Sequence, residues 1–564
     1  MAFSLVTAVP SSSFIRLHTK GTSNRSNVNN LGVVRASKSV AKANDSDQKI
    51  VRRSANYHPP TWEYDYIQSL KSDYLGESFN EQAIRLLGEV RMMLEKVMDP
   101  LEKLELIDTL QRLGLSYHFQ DETKRILEDI HIRADQSKAL WKEGNLYATA
   151  LEFRLLRQHG YNLTEEVFSG FMDEMGNFKS SLCEDCKGLL NLYEASHLSM
   201  EDEGILDTAR HFAAKQLQQY LKQKKLDEYV RMLVEHALKL PLHWRVSRLE
   251  ARWFIDVYEK REKRNPILLE LAKLDFNIVQ AVYQDDLIYA SKWWRDIGLG
   301  EKLPFARDML MENFLWTVGI AFDPHFGNLR RTLTKIIALI TSIDDVYDVY
   351  GTLDELELFT QAVERWDINA MELLPEYMKI CFFALYNSIN EIAFDNLKEH
   401  GFHTIPLLKK AWAELCKAYL VEAKWYYSGY IPTLNEYMDN AWISIAVPLV
   451  LSHSFFLTKS NNKGVLGDEL KRGDVPKSIQ CYMHETGCSE VEAHEHVKKL
   501  IDATWKRMNG EYLMSQSPLS LPFKHIALNL VRIAQCMYQY GDNHGIEDQK
   551  TNDHVLLLLV LSIP

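Results

Sequence analysis

Apolar residues recur at three- and four-residue intervals along nearly the whole chain from about residue 65 onward. The pattern is clearest in four stretches: LLGEVRMMLEKV, PLEKLELIDTLQRLGL, DEYVRMLVEHAL and AWAELCKAYLVEAKWYY. This spacing places the apolar side chains on one face of an α-helix. Alternating strand-like runs joined by hairpin turns are nearly absent. The pattern therefore predicts an all-α fold.

One charged segment that ends in proline interrupts this periodicity: EKREKRNP, from Glu259 to Pro266. The chain has 564 residues, of which 46% are hydrophobic. It is long enough for two or more cores, because a single core rarely grows beyond about 250 to 300 residues. We therefore predict a domain boundary at this segment.

The charge pattern separates the N-terminus from the rest of the chain. The first 43 residues contain no Asp or Glu, while Arg and Lys are scattered among many Ser and Asn residues. This composition is typical of an organelle transit peptide, which we place at residues 1–50; a disordered solvated tail is the alternative. The net charge of -12 argues against a nucleic-acid partner. No apolar run approaches the roughly 18 to 20 residues that cross a bilayer, so we expect no membrane span.

Three aspartates interrupt an apolar stretch in LITSIDDVYDVYG, from Leu339 to Gly351. In an α-helix, Asp344 and Asp348 share a face and Asp345 lies about 100° around the axis. Two parallel carboxylates can bridge a divalent cation, and Mg2+ is typically held by one or two carboxylates together with substrate phosphates. The alternative is an exposed acidic helix end. It is weakened because the preceding KIIALITSI is apolar on all sides and should be buried, where unpaired carboxylates are costly.

Two motifs together carry a resemblance to a known family. SIDDVYDVYGT, and RRSANYHPPTW from Arg52 to Trp62, resemble the plant terpene synthases, specifically the angiosperm monoterpene synthase group. LQRLGLSYHF, YGTLDELELFTQAVERWD, ELKRGDVPKSIQCYMHETG and QCMYQYGD resemble the same family in the same order. The resemblance implies an N-terminal α-barrel-like domain without an active site, residues 51–258, and a C-terminal class I domain, residues 259–564. It also implies a monomer.

The resemblance further implies a chemistry and its residues. Mg2+, with Mn2+ as the alternative ion, would lie between the aspartates and a prenyl diphosphate and neutralise the leaving group. The metal ligands implied in this half of the site are Asp344, Asp345 and Asp348. The residues implied at the substrate are Arg307, which would hold the departing diphosphate, the pocket residues Trp316 and Phe314, the capping residues Tyr538, Tyr540 and Asp542, and the N-terminal pair Arg52 and Arg53. Core packing is an equal alternative for Phe314, and a structural role is an alternative for the capping residues.

The second metal motif of the family is altered in this sequence. In the family, this motif begins with Asn or Asp, has a Ser or Thr hydroxyl four residues later and a Glu eight residues later, and is preceded by an arginine three residues before its start. With Glu469 as the last position, the first position is Asn461, the hydroxyl position is Val465, and the arginine position is Thr458. Valine cannot bind Mg2+, so only Glu469 and Asn461 remain as ligands there. HSFFLT continues directly into KSNNKG, where the family pattern implies about thirty more residues, or roughly 45 Å of helix. Met309 also replaces the second arginine of the family's R-x-R pair.

Two functions follow from this combination. The first is a monoterpene synthase of the chloroplast stroma that acts on geranyl diphosphate, with an acyclic product slightly favoured by MENFLWTVGIAFDP; isoprene synthases also resemble this stretch. The second is a non-catalytic or impaired helical homologue that binds diphosphate weakly through the Asp344 helix. A missing exon, an aberrant gene model and a natural variant would each explain the short segment.

Overall fold

The structure is a computed structural model that describes residues 52–136, 140–223, 227–458, 479–513, 519–538 and 549–564. Within these ranges the regular structure is helical, and an isolated bridge between Met172 and Phe178 is the only β-type pairing. The prediction of an all-α fold is confirmed. The predicted transit peptide, residues 1–50, lies outside the described residues.

The part of the chain before the predicted boundary forms short and medium α-helices. They are α1 Tyr64–Ser69, α2 Glu77–Lys96, α3 Pro100–Arg112, α4 Gln120–Gln136, α5 Leu146–Gln158, α6 Cys186–Ser196, α7 Gly204–Leu221, α8 Glu228–Lys239 and α9 Ser247–Glu259. Helices α5, α6 and α7 pack in sequence and share a small core of their own.

The part after the boundary contains the longest helices. They are α10 Pro266–Ile297, α11 Leu299–Lys302, α12 Leu310–Ile320, α13 Gly327–Asp345, α14 Leu353–Arg365, α15 Glu376–His400, α16 Ile405–Ser428, α17 Leu434–Ser444, α18 Val447–Thr458, α19 Ile479–Thr486, α20 Glu490–Leu513, α21 Leu521–Tyr538 and α22 Gln549–Val555. Short π-helices follow α13 and α22, at Val346–Tyr350 and Leu556–Val560. Short 3-10 helices lie at Asp73–Leu75, Ser116–His118, Leu140–Lys142, Glu165–Phe171, Ser180–Glu184, Leu242–Trp244, Pro324–Phe326 and Ile368–Leu373.

The segment Glu259–Pro266 coincides with the connection between α9 and α10. The Asn265 side chain caps α10 by accepting hydrogen bonds from the backbone N–H groups of Ile267 and Leu268, at 3.0 and 3.3 Å. Pro266 occupies the first turn, where a missing N–H costs nothing. One helix therefore ends and the next begins at this segment, and the division into two domains stays a prediction.

Helix α10 lies at the centre of the molecule. It packs against α13 on one side and α2 on another, and its apolar residues belong to one large core that includes Leu86, Val90 and Leu94 of α2. The helix is apolar on most of its surface, as expected for an element buried between layers. The two parts of the chain thus share a core.

Helix α20 also joins the two parts. Lys506 forms an ion pair with Asp207 of α7 at 2.6 Å, and Trp505 stacks on Trp244 with ring centroids 5.3 Å apart. The Asn509 amide donates to the Ser199 carbonyl oxygen at 2.9 Å. These contacts hold α20 against the N-terminal helices.

The stretch Leu434–Thr458 is long and apolar enough, by composition, to cross a membrane. The expectation that no apolar run approaches the roughly 18 to 20 residues that cross a bilayer is therefore wrong for this stretch. The stretch comprises α17 and α18, with a left-handed residue, Ala446, at φ 62° between them, and 61% of its most apolar window is buried inside the protein. Because core helices pass the same test, this stretch is weak evidence for a membrane span.

Candidate active site

The three aspartates lie where α13 ends. Asp344 and Asp345 are its last two residues, and Asp348 lies in the π-helix Val346–Tyr350 that continues it. The backbone N–H of Gly351 closes this wide turn by donating to the Val346 carbonyl oxygen at 2.8 Å. The assumption of one regular α-helix through all three aspartates is therefore wrong, because a π-turn bonds i to i+5 and widens the helix.

Burial separates the aspartates into two kinds. The Asp345 side chain is 0% exposed, the Asp344 side chain is 27% exposed, and Asp348 is half-buried. Asp344 and Asp348 therefore reach the accessible side of the helix end, while Asp345 points into the protein. This separation agrees with the predicted position of Asp345 off the shared face.

Arg307 lies against the buried aspartate. Its backbone N–H donates to Asp345 Oδ2 at 2.7 Å, its Nε donates to Asp345 Oδ1 at 3.0 Å, and one terminal nitrogen donates to Asp344 Oδ2 at 2.8 Å. Burial alone would lower the pKa of Arg307, but the charges of Asp345 and Asp344 outweigh it and raise that pKa. Arg307 thus holds the two aspartates in place, although they are 37 and 38 residues away.

Tyr57 of the N-terminal segment completes the environment of Asp345. Its hydroxyl donates to Asp345 Oδ1 at 3.0 Å, and the Arg307 guanidinium lies 5.3 Å from the centre of its ring. A residue near the start of the described chain therefore contacts the aspartate motif directly.

Arg52 binds next to the same motif. Its two terminal nitrogens donate to the two carboxylate oxygens of Glu355, each at 2.8 Å, and the guanidinium lies 4.6 Å from the Tyr350 ring and 4.9 Å from the Tyr377 ring. Burial alone would raise the pKa of Glu355, but its hydrogen bonds, first among them the one from Arg52, outweigh burial and lower that pKa to about 2. Glu355 also forms a capping box with Thr352 at the start of α14.

Arg53 packs on the neighbouring helix. Its guanidinium lies 4.2 Å from the Tyr426 ring and 5.4 Å from the Tyr427 ring, both on α16. The structure therefore places Arg52 and Arg53 in contacts that fasten the N-terminal segment, rather than in contacts with the space above Asp344.

The accessible carboxylates repel one another. Burial, followed by the charges of Asp344 and Glu422, raises the pKa of Asp348, and burial raises the pKa of Asp344 despite Arg307. Tyr419 of α16 donates a hydrogen bond to Asp344, and Glu422 lies one turn further along α16. This end of the bundle therefore carries excess negative charge that a cation would neutralise.

The donors fit a hard divalent cation. Oxygen ligands are what Mg2+ prefers, and one or two carboxylates suffice when substrate phosphates supply the rest. Asp344 and Asp348 would hold such an ion here. Within the described ranges no three His, Cys, Asp or Glu side chains converge as a closed metal site. The arrangement therefore suits a metal shared with a ligand better than a closed structural site.

The predicted pocket aromatics occupy different positions. Trp316 is half-buried on α12 and meets the Tyr538 ring edge-on at 5.9 Å. Phe314 is fully buried in the main core. Of the two alternatives for Phe314, its position favours core packing.

Family models match most of the chain. The N-terminal domain model of terpene synthases matches residues 61–238, and the metal binding domain model of the terpene synthase family matches residues 295–467. A C-terminal metal binding model of terpene synthase family 2 matches residues 460–507. Terpene synthase 10 of Ricinus communis is 58% identical over 546 residues, which cover 92% of this chain and 99% of that protein.

The chain belongs to the terpene synthase family. A chloroplastic myrcene synthase of Quercus ilex is 56% identical to this terpene synthase, over 93% of this chain and 92% of that one. A limonene synthase crystallised with 2-fluorolinalyl diphosphate has a TM-score of 0.86 at 44% identity, covering 91% of this chain and all of that one. Grey poplar isoprene synthase, in complex with three Mg2+ ions and dimethylallyl-S-thiolodiphosphate, has a TM-score of 0.80 at 45% identity, covering 89% and 99%. The predicted family is thereby confirmed.

Several residues at the site of this terpene synthase were missed from the sequence. They are Tyr57, Tyr350, Glu355, Tyr377, Tyr419 and Glu422. Tyr57 lies within the RRSANYHPPTW motif, so its position in a motif that resembles the family could have singled it out. Tyr419 and Glu422 lie on the amphipathic helix α16, where spacing alone does not distinguish a site residue from an ordinary surface residue.

Four predicted site residues lie outside the described residues: Asn461, Glu469, Tyr540 and Asp542. Asn462 and Val465 lie outside them as well. Thr458, at the expected arginine position, is the last residue of α18, and its hydroxyl donates to the Ser454 carbonyl oxygen at 2.8 Å. The side chain therefore bonds to its own helix.

Proposed function

We propose that this chain is a Mg2+-dependent monoterpene synthase that ionises geranyl diphosphate and releases a monoterpene and diphosphate. The observation that carries the proposal is the pair of carboxylates, Asp344 and Asp348, that reach the accessible side at the end of a buried helix. Burial raises the pKa of both, and the charge of Asp344 raises the pKa of Asp348 further. The named activities of its relatives support the C10 substrate, since myrcene synthase is among them.

The residues of this chain would share the work as follows. Asp344 and Asp348 bind the cation, and Tyr419 orients Asp344 by a hydrogen bond. When bound, Mg2+ supplies the positive charge that neutralises the diphosphate as the C–O bond breaks, with both electrons leaving on oxygen. Arg307 keeps the two adjacent aspartates in position and adds positive charge near the leaving group.

The aromatic side chains would govern the carbocation. Trp316 and Tyr538 present ring surfaces beside each other, and the negative face of an aromatic ring stabilises a cation by roughly 0.5 to 2 kcal/mol. Exclusion of water keeps the cation from being captured before a proton is lost. Loss of a proton yields an acyclic or cyclic hydrocarbon, whereas capture by water yields an alcohol.

We favour an acyclic product. The resemblance links the N-terminal arginine pair to isomerisation and cyclisation of the substrate. In this chain, however, the Arg52 guanidinium binds the Glu355 carboxylate and packs against the Tyr350 and Tyr377 rings. Its role here is then to hold the N-terminal segment over the site. We place the enzyme in the chloroplast stroma, since the N-terminal composition suits a transit peptide and the Quercus ilex relative is named chloroplastic.

A second function is favoured by one specific observation. Thr458 stands where the arginine of the second metal motif is expected, and it ends α18. A chain without that arginine and with Val465 in the motif would bind diphosphate through Asp344 and Asp348 but turn it over slowly. The third candidate function is that of an enzyme acting on dimethylallyl diphosphate, which the structural resemblance to isoprene synthase suggests.

Binding and turnover measured side by side would distinguish these functions. Isothermal titration with Mg2+ and a non-ionisable geranyl diphosphate analogue reports binding. Gas chromatography of products from geranyl and dimethylallyl diphosphate reports turnover and chain length. Binding with C10 product supports the first function, binding without product supports the second, and a C5 product alone supports the third.

A further inference from the structure

A cavity lined by none of the residues of the aspartate site lies between the N-terminal helices, the segment 320–326, and helices α20 and α21. It has a volume of about 600 Å3, which is within the usual range for small-ligand sites. Five arginines line it: Arg112, Arg157, Arg245, Arg248 and Arg532. The described carboxylates that line it are Asp121, Glu250 and Asp323.

Four of these arginines have a carboxylate within 4 Å among the described residues. The pairs are Arg112 with Glu250 at 3.1 Å, Arg157 with Glu203, Arg245 with Glu250 at 3.8 Å, and Arg248 with Asp275 at 3.7 Å. Arg532 has no such partner in the described part of the chain. A half-buried guanidinium without a counter-charge is costly, so its persistence here calls for a physical explanation.

Neutral oxygen acceptors fix the direction of the Arg532 guanidinium. Its Nε donates to the His243 carbonyl oxygen at 2.8 Å, and Nη1 donates to Asn529 Oδ1 at 2.9 Å. Nη2 lies 3.5 Å from Nδ1 of His243. Arginine has five N–H groups, so at least one on each terminal nitrogen remains for a further acceptor.

The tautomer of His243 follows from its other contacts. The Asn509 amide nitrogen donates to the carbonyl oxygens of His197 and Ser199, so its Oδ1 must accept the hydrogen bond from His243 Nε2, at 2.8 Å. His243 Nδ1 is therefore an acceptor that faces Arg532. The guanidinium is held by a network formed before any ligand arrives.

The neighbours of Arg532 are neutral donors and acceptors. Burial lowers the pKa of Arg532 only to about 10, so it remains charged at neutral pH. Burial and then the charges of Arg532 and His159 lower the pKa of His525 to about 4. Tyr512 also lines the cavity, and its hydroxyl donates to the Gln158 carbonyl oxygen at 3.1 Å and lies 3.0 Å from His525 Nε2.

We propose that this end of the cavity binds a small oxyanion, phosphate or diphosphate, on the Arg532 guanidinium. A guanidinium with a donor free on each terminal nitrogen suits two oxygens of one phosphoryl group. The proposal does not rest on the function of the aspartate site, because it needs neither Mg2+ nor Asp344.

Metal-free binding by the full chain tests this inference. Isothermal titration in the presence of EDTA would use inorganic phosphate, inorganic diphosphate and dimethylallyl diphosphate as separate probes. We expect Arg532→Gln to weaken binding of the inorganic probes by more than about tenfold, as loss of charged hydrogen bonds does. Arg507→Gln is the matched control, since Arg507 is 43% exposed on α20 and does not line the cavity.

Three outcomes decide the proposal. Equal binding by the wild type and Arg532→Gln, or no binding by the wild type, would overturn it. If Arg532→Gln fails to fold, Arg532→Lys replaces it as the test variant, because lysine keeps the charge but lacks the paired donors. Binding between that of the wild type and no binding, with an unchanged melting temperature, would support the proposal. Tighter binding of dimethylallyl diphosphate than of inorganic diphosphate would identify the prenyl ester as the source of the oxyanion.

Discussion

The two sides of the predicted metal site differ in how they are held. On the α13 side, Asp345 is bound by Arg307 and Tyr57, and every one of these contacts comes from a segment distant in sequence. On the α18 side, the Thr458 hydroxyl bonds within its own helix, to the carbonyl oxygens of Ser454 and Phe455, and the expected ligands lie beyond it in residues 459–478.

From this difference we predict that the α13 half of the proposed metal site forms independently of the other half. The α13 side depends on ion pairs, an N-terminal segment and a buried helix, none of which requires a metal. The α18 side depends on the length and sequence of one connection. We therefore expect a change in that connection to affect turnover before it affects folding.

The largest expected effect comes from rebuilding the α18 side. We expect a family-like insert between Leu457 and Gly464, with threonine at 465 and arginine before the motif, to raise turnover of geranyl diphosphate by orders of magnitude. Losing a residue that only hydrogen-bonds a metal ligand typically lowers metal affinity or activity by roughly 10- to 100-fold. Losing a metal ligand together with the helix that carries it should lower activity by more. Product formation per unit time would be measured by gas chromatography.

An insert of equal length with alanine at the ligand positions is the control for that experiment. It should leave turnover at the level of the unmodified chain. A rate typical of the family from the unmodified chain would contradict the prediction.

Removing the ligands on the α13 side should have the next largest effect. We expect Asp344→Ala and Asp348→Ala each to weaken Mg2+-dependent diphosphate binding by more than about 100-fold, because each removes a direct ligand. Titration calorimetry with the non-ionisable analogue would measure this. If Asp345→Ala folds normally and weakens Mg2+-dependent diphosphate binding as much as the other two substitutions, all three aspartates bind the metal.

The fold could largely be predicted from the sequence, because helical periodicity is local. The LITSIDDVYDVYG stretch also placed Asp345 off the face shared by Asp344 and Asp348, but it did not indicate which of these aspartates would be buried. The π-turn at Val346–Tyr350 could not be foreseen, because the neighbours that stabilise it, such as Tyr419 and Phe305, come from other helices and loops.

The long-range contacts of the site were also beyond the sequence pattern. Arg307 was assigned to the diphosphate by resemblance, but nothing within its own stretch showed that it pairs with Asp345, 38 residues away. Tyr57 is 288 residues from Asp345, and a single tyrosine in a segment without regular structure carries no periodic signal.

Asp345 and Asp344 should differ in stability as well as in binding. Asp345→Asn leaves Arg307 with one carboxylate fewer in a fully buried position, and we expect a loss of about 3 kcal/mol in the free energy of unfolding. Asp344→Asn should cost little, because a carboxylate whose pKa is raised in the folded state weakens folding above its unfolded pKa. Denaturant unfolding at neutral pH would compare the two.

The control for this pair is Asp367→Asn, which changes an exposed cap outside the site. A larger destabilisation by Asp344→Asn than by Asp345→Asn would reverse the assignment of structural and binding roles.

A smaller effect is expected at Tyr57. Tyr57→Phe removes the hydroxyl that donates to Asp345 and should cost about 1.5 kcal/mol, as expected for a hydrogen bond to a charged group. The N-terminal segment should then be cleaved faster by a protease under native conditions. Tyr66→Phe is the matched control, because Tyr66 is 39% exposed and packs on Trp62 through its ring. Equal cleavage rates for the two variants would show that the Tyr57 hydroxyl does not hold the segment.

The smallest effect should come from removing the predicted transit peptide. A chain that starts after Lys49 keeps Arg52, Arg53 and Tyr57, and with them the ion pair to Glu355 and the hydrogen bond to Asp345. We therefore expect unchanged Mg2+-dependent binding and an unchanged unfolding midpoint. A chain that starts after Tyr57 loses all three residues together with these contacts, and it should bind more weakly and unfold earlier. If both truncations behave alike, the contacts of the N-terminal segment do not support the α13 side, and Arg307 alone must hold Asp345 in place.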